Sequence, residues 1–364
     1  MAKRSCTPSV RLGTGSVTLT TAVNGAFRSQ RITGQQRYAT EIANRLCGSA
    51  GFVEHAPGNA LSGSALLEWL WTLVALPAHA RSEVLLSLTA RAPLWHPRHV
   101  LVVHDLFVLD HPEWYSTRYV RSHAPLLRRQ LTTASALIAV SEAVATQLRS
   151  RFPGRPVAVA PNAPSPIFSV TQEEFCDADS GLPAFAQLLP GRYLLAVGSV
   201  DPRKNLSALI RAYSRSNLYS ETGIPLVLVG GSSSHFRGGG SQAADGVVRL
   251  GYVTDSELSL LYQKSLAVVF PSLAEGFGLP LVEALASGAR VAASDIDVFR
   301  WIAGHDASYF DPLSVEDISD ALRSLVFGED TESPQARSRR IRERFSWDQS
   351  AVVVMDLCRK IMEG

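Results

Sequence analysis

The chain has 364 residues, enough for about two ordinary domains, and its 46% hydrophobic content can fill two cores. Net charge is only +2, but residues 1–175 hold 17 Lys/Arg against 10 Asp/Glu, and the remainder holds 18 against 23. The basic half suits an anionic acceptor or a membrane surface, although an uneven solvated surface accounts for the same counts equally well. Nucleic acid is excluded as the partner, because the basic residues lack interleaved aromatic runs or a binding motif.

The four cysteines, Cys6, Cys47, Cys176 and Cys358, are scattered and form no C-x-x-C pair, so neither a zinc site nor a disulfide framework is expected. A reducing cytoplasm is the simplest home. The first residues are basic, but no apolar run of signal-peptide length follows them. The stretch 65–78 contains Glu68 and is too short to span a bilayer.

In chain order, apolar runs at 17–23, 84–88, 100–104, 136–140 and 157–160 read as strands, each followed by a loop or a helix-compatible stretch. Such alternation predicts parallel strands with crossover helices, hence a doubly wound α/β sheet. Between the first two runs, Thr33, Gly34, Gln35, Gln36 and Arg37 read as a capped helix start. The 100–104 run ends on His104 and Asp105, an imidazole and a carboxylate at a strand terminus. His96, His99 and His111 make no metal-ligand pattern with it.

A stretch at 161–190 containing Pro, Asp and Gly separates this series from a second one at 193–197, 226–229, 247–250, 266–270 and 290–293. The Gly- and Ser-rich segment 230–246 reads as a loop. After the 193–197 run come Gly198, Ser199 and the pair Arg203-Lys204 at a helix start. Adjacent guanidinium and ammonium groups can share a diphosphate and offset charge as a sugar–phosphate bond breaks. After the 266–270 run, Glu275 precedes Gly276, Phe277, Gly278, Leu279 and Pro280, and Glu283 follows one turn into the next helix. The glycines permit a tight loop, Pro280 suits a first helical turn, and the helix-end amides suit an anion.

The two glutamates at E-x7-E spacing, the F-G-L-P turn and the A-L-A-S-G ending together resemble the signature of family-4 retaining glycosyltransferases. The resemblance implies a GT-B fold, two Rossmann-like doubly wound domains facing each other across a cleft. Residues 1–175 would bind the acceptor and 190–345 the nucleotide sugar. Residues 346–364, with Ser346 as N-cap, would form a helix returning to the first domain. It also implies roles. His104 would approach the donor sugar or phosphate, with Asp105 orienting nearby; Arg203 and Lys204 would stabilise the leaving diphosphate, and Glu275 would contact sugar hydroxyls. Gly198, Ser199 and the amides of Gly276, Phe277, Gly278 and Leu279 would hold phosphate or sugar, and Glu283 the ribose. Gly34, Arg37 and Asp105 would lie on the acceptor side. Two positions depart from the family: Ser199 stands where many members have arginine, and Gln36 where relatives often have a second glycine.

The function so implied is metal-independent, retaining hexosyl transfer from a nucleotide-sugar co-substrate to a glycan or lipid-linked acceptor in polysaccharide or glycolipid assembly, with no further cofactor. A nucleotide-sugar epimerase of similar fold and a catalytically silent binding partner are the competing readings. Glu68-Trp69-Leu70-Trp71 and Arg118, Arg121, Arg128 and Arg129 are candidates for peripheral docking on the inner face of a membrane, with core packing and a solvated face as the alternative. The run Arg337, Arg339, Arg340, Arg342 and Arg344 is ambiguous in the same way.

Overall fold

A computed structural model describes residues 20–30, 33–58, 64–170, 191–199, 201–231 and 244–363. The start of the 17–23 run and most of the 230–246 loop lie outside them, as do Cys6 and Cys176. Twelve strands form two six-stranded sheets. The first contains β1 (Thr21–Asn24), β2 (Phe52–His55), β3 (Val84–Ser87), β4 (His99–Val103), β5 (Ala136–Ala139) and β6 (Val157–Val159), in the order β2-β1-β3-β4-β5-β6. The second contains β7 (Leu194–Val197), β8 (Leu226–Val229), β9 (Val247–Gly251), β10 (Ala267–Phe270), β11 (Val291–Ser294) and β12 (Ala307–Phe310), in the order β12-β11-β10-β7-β8-β9. Every pairing is parallel.

The interior strands are short apolar runs, ALIA in β5, LVLV in β8 and AVVF in β10, and each is buried at every position. Helices on both faces of a parallel sheet require that composition. The two strands without a sequence expectation, β2 and β12, lie at sheet edges and read FVEH and ASYF with mixed exposure. An edge strand needs only one apolar side, so its hydrophobic signal is weak.

In the second sheet the strand order reverses between β7 and β10, the place where open α/β sheets leave a ligand crevice at the carboxyl ends of the strands. The reversal in the first sheet falls between β1 and β3. A continuous apolar cluster runs from Val23, Tyr38 and Ile138 of the first half to Phe277, Val282 and Phe299 of the second.

The last helix, Trp347–Glu363, packs on helix Gly34–Leu46 and on β6, β3 and β5. Ser346 Oγ accepts from the Asp348 amide at its start. Trp347 sits edge-on to Tyr38, Asp348 pairs with Arg45 at 2.6 Å, and Ser350 donates to the Pro161 carbonyl at 2.7 Å. Among the described residues, no helix is long and apolar enough to cross a membrane. Trp347→Ala is expected to cost roughly 3–5 kcal/mol, the range for truncating a buried aromatic. Chemical denaturation checks this, and a loss below about 1 kcal/mol would show that the aromatic contact does not anchor the helix.

Candidate active site

The carboxyl ends of the two sheets meet at the loop that follows β10. Gly276 lies so close to the first sheet that a Cβ there would overlap the His104 carbonyl oxygen, and its own carbonyl accepts from Ser141 Oγ at 2.7 Å. Glycine at this position therefore serves a backbone-to-backbone contact between the two halves. Gly278 has φ 100°, and a Cβ would meet the Phe299 ring at 2.8 Å, so this residue makes the turn into helix Leu279–Ala286. Phe277 points away from the crevice, into an aromatic cluster with Trp301 and Phe345. Its expected ligand contact is confined to its amide. Among the described residues, no acceptor takes the amides of Gly276, Phe277 or Gly278.

Arg203 and Lys204 converge on Glu275. Arg203 Nη1 donates to one carboxylate oxygen, Lys204 Nζ to the other at 2.6 Å, and Ser272 Oγ adds a bond of 2.8 Å. All three charged side chains are largely buried. Burial alone would raise the Glu275 pKa, but Arg203 and Lys204 override it and hold the carboxyl down to about 2. The pair occupies a 3-10 turn, Pro202–Lys204, one residue before helix Leu206–Arg215, with Asn205 left-handed between them. The basic pair thus precedes the helix that the sequence suggested it would open.

Asp201 organises that turn. Its carboxylate accepts from the Lys204 amide at 3.2 Å and from Ser199 Oγ at 2.7 Å, and lies 3.6 Å from Arg203. Ser199 is thereby committed to Asp201. Lys204 lays its stem against Gly198, where a Cβ would come within 3.2 Å. The Arg203 guanidinium also lies over the Phe107 ring, 5.4 Å from its centroid.

His104 Nε2 is 3.0 Å from the Leu88 carbonyl. A carbonyl only accepts, so that nitrogen carries the proton. Burial pulls the ring down to about 4, which leaves it neutral, with Nδ1 as a hydrogen-bond acceptor. In this neutral form Nδ1 can take a hydroxyl hydrogen. Asp105 accepts from the Phe107 amide at 3.2 Å, and burial raises its pKa against the pull of Arg203.

Arg37 is not confined to the acceptor side. It reaches the second half, contacting Glu283 at 3.0 Å and Asp255 at 2.6 Å. Gly34 begins its helix with open space where a Cβ would stand. Gln36 is buried, bonded to Thr33 and to Gln30. Sequence reasoning did not single out Ser141, Asp201, Asp255 or Ser272. Ser141 and Ser272 follow the carboxyl ends of β5 and β10 and could have been found by that position, whereas Asp255 becomes visible only when the sheets face each other.

The family description "Glycosyl transferases group 1" matches residues 186–344, and "Glycosyltransferase Family 4" matches residues 63–164. The chain belongs to glycosyltransferase family 4. Its relatives include O-antigen chain mannosyltransferase B of Escherichia coli, 29% identical over 271 residues, which are 69% of this chain and 67% of that protein. The serotype-specific mannosyltransferase WbdA of Escherichia coli is 27% identical over 286 residues, 73% of this chain, and this chain spans only 34% of its length. Among solved structures, Anabaena HepE in complex with UDP and glucose superposes with a TM-score of 0.66 at 17% identity, covering 94% of this chain and 100% of that one. The fold is that of the GT-B glycosyltransferases. The relatives favour the transferase over the epimerase and the silent partner.

Two outcomes are expected. In Gly276→Ala the new methyl group meets backbone, which cannot rotate aside, so the halves should part. Small-angle scattering should show an enlarged radius of gyration, and an unchanged profile would remove Gly276 from the contact. Glu275 has a folded pKa below its unfolded value, so its stabilisation is present above about pH 4.5 and is lost as pH falls towards about 2. Glu275→Gln should flatten the stability loss across that window in urea titrations, and an unchanged acid limb would count against the triad.

Proposed function

We propose that the protein is a retaining, metal-independent hexosyltransferase that moves a sugar, mannose foremost, from a nucleoside diphosphate to a glycan or lipid-linked acceptor in polysaccharide assembly. The observation that carries this reading is the buried Arg203-Lys204 pair gathered on Glu275, beside loop amides that have no acceptor among the described residues. The mannosyltransferase names of the relatives support the sugar, and the UDP complex of HepE supports the donor class.

In this reading the diphosphate enters beside Arg203, Lys204 and the amides of Gly276, Phe277 and Gly278. As the bond from the anomeric carbon to the phosphate oxygen breaks, negative charge grows on the diphosphate, and two fixed cations in a poorly hydrated site stabilise it. The acceptor hydroxyl forms the new bond to the anomeric carbon from the same face and passes its proton to the departing phosphate oxygen. Glu275, already oriented by both cations and Ser272, presents carboxylate oxygens to sugar hydroxyls, and His104 Nδ1 accepts another. The free oxygen of Glu283 takes the ribose. Closure of the two halves excludes water and limits donor hydrolysis.

A cytoplasmic setting with peripheral membrane contact fits a lipid-linked acceptor. Leu66, Leu67, Leu70 and Val74 are exposed on the helical stretch from Ala65 to His79, while Glu68 is buried against Arg91. Arg118, Arg121, Arg128 and Arg129 are exposed on helix Thr117–Thr133, which carries no acidic residue. By contrast, Arg337 is buried on the Gly288 carbonyl and Asp330, and Arg340 pairs with Asp306 and Glu332, so these two arginines of the 337–344 run hold the second half together.

With labelled GDP-mannose and UDP-glucose and lipid-linked glycan acceptors, Lys204→Ala should lose roughly a hundredfold or more in turnover, because one electrostatic donor contributes about 2.7–4 kcal/mol at such sites. Near-normal turnover of the folded variant would refute the role. Proton NMR of the new linkage should show a retained anomeric configuration, and an inverted centre would reject the mechanism.

A further inference from the structure

We infer that Arg37 is a positioning residue of the nucleotide site. Reaching across from the first half, it holds one oxygen of the Glu283 carboxylate and leaves the other to accept hydroxyl hydrogens from the ribose of a nucleoside diphosphate. The inference rests on Glu283 being the ribose acceptor.

Three observations support it. First, the guanidinium is forked: Nη1 lies 3.0 Å from Glu283 Oε1 and Nη2 lies 2.6 Å from Asp255 Oδ2, so two carboxylates on different helices fix its plane. Second, the contact joins elements far apart in the chain, helix Gly34–Leu46 to helices Leu279–Ala286 and Asp255–Lys264, and it can form only when the halves are closed. Third, Glu283 is 5% exposed, yet only Oε1 is engaged, and no described side chain donates to Oε2. A buried carboxylate with one oxygen held and one open is prepared for a hydroxyl ligand.

The electrostatics set the consequence of losing Arg37. Burial and Asp255 push the Glu283 carboxyl upward, and Arg37, 3.0 Å away, pulls it down and pairs with its ionised form. From helix Asp255–Lys264, Tyr262 also faces this group, and its buried hydroxyl has no hydrogen-bond partner among the described residues. Glu41 adds negative charge near the guanidinium. Helices Pro334–Arg344 and Asp297–Ala303 pack on the other sides, but Arg337 is bonded to Gly288 and Asp330, and Arg300 to Asp295. Arg37 is therefore the cation that favours the ionised form of Glu283. Without it the carboxyl keeps its proton to higher pH and loses both its orientation and part of its accepting capacity.

The test is calorimetric titration with GDP and with UDP between pH 6.5 and 8.5, on the wild type, Arg37→Lys, Arg37→Gln, Glu283→Gln and the Arg37→Gln/Glu283→Gln double variant, with thermal melts to verify folding. Arg37→Gln should weaken binding about tenfold at pH 7, the scale of one charged hydrogen bond, and should recover part of it as pH rises. Arg37→Lys should keep most of the affinity and the wild-type pH profile. In the Glu283→Gln background the Arg37 substitution should have little further effect. Arg37→Gln binding like wild type at every pH, or losing the same affinity in the Glu283→Gln background, would overturn the inference alone. Glu283→Gln binding like wild type would overturn the ribose reading beneath it, and the inference with it.

Discussion

Two sheets can build one site only if their backbones are allowed to meet, and in this protein they meet at Gly276. The absence of a Cβ lets the loop after β10 pass beneath the His104 carbonyl, while Ser141 holds the loop's own carbonyl from the neighbouring strand end. On its far side, Phe277 is fixed between Trp301 and Phe345. The loop is thus pinned from both halves, and the two glutamates that flank it inherit their positions from that contact. Glu275 is directed to the basic turn after β7, and Glu283 faces the helix that follows β1 in the other half.

The charges around the loop are costly to bury singly and tolerable only in company. Glu275 keeps its ionised form because two cations and a hydroxyl share its oxygens. Glu283 has a single cationic partner and a nearby carboxylate, and burial moves it in the opposite direction. Two acids of one motif therefore have opposed proton affinities, which separates their chemistry more sharply than eight residues of spacing would suggest. The neutral His104, its tautomer set by a backbone carbonyl, completes a site that offers hydroxyl acceptors on one side and cations on the other.

The departures from the family pattern have local explanations. Ser199 cannot supply a cation, but its hydroxyl braces Asp201, and Asp201 orders the turn that presents Arg203 and Lys204. Gln36, in place of a second glycine, is consumed by bonds to Thr33 and Gln30 at the helix start. The helix then continues one residue on to Arg37, whose side chain leaves the first half altogether.

Much of this architecture was legible in the linear chain, because fully buried parallel strands must be apolar along their length. Runs such as LLAV, LVLV and AVVF cannot be mistaken for loops, and ten of the twelve strands overlap runs picked out in the sequence, the partly exposed edge strands β6 and β9 among them. The edge strands FVEH and ASYF escaped because one solvated face dilutes the pattern. The E-x7-E spacing and the adjacent Arg203-Lys204 pair were equally local, since a loop and one turn of helix set their geometry. Partnerships across the chain were decided only by the tertiary structure: Glu275 with residues 71 and 72 positions away, Arg37 with Glu283 across 246, and Gly276 against His104. The first depends on β7 and β10 lying side by side in one sheet although about 70 residues separate them, and the other two depend on the angle and distance at which the two sheets meet, a quantity carried by surface complementarity and by no local pattern of residues.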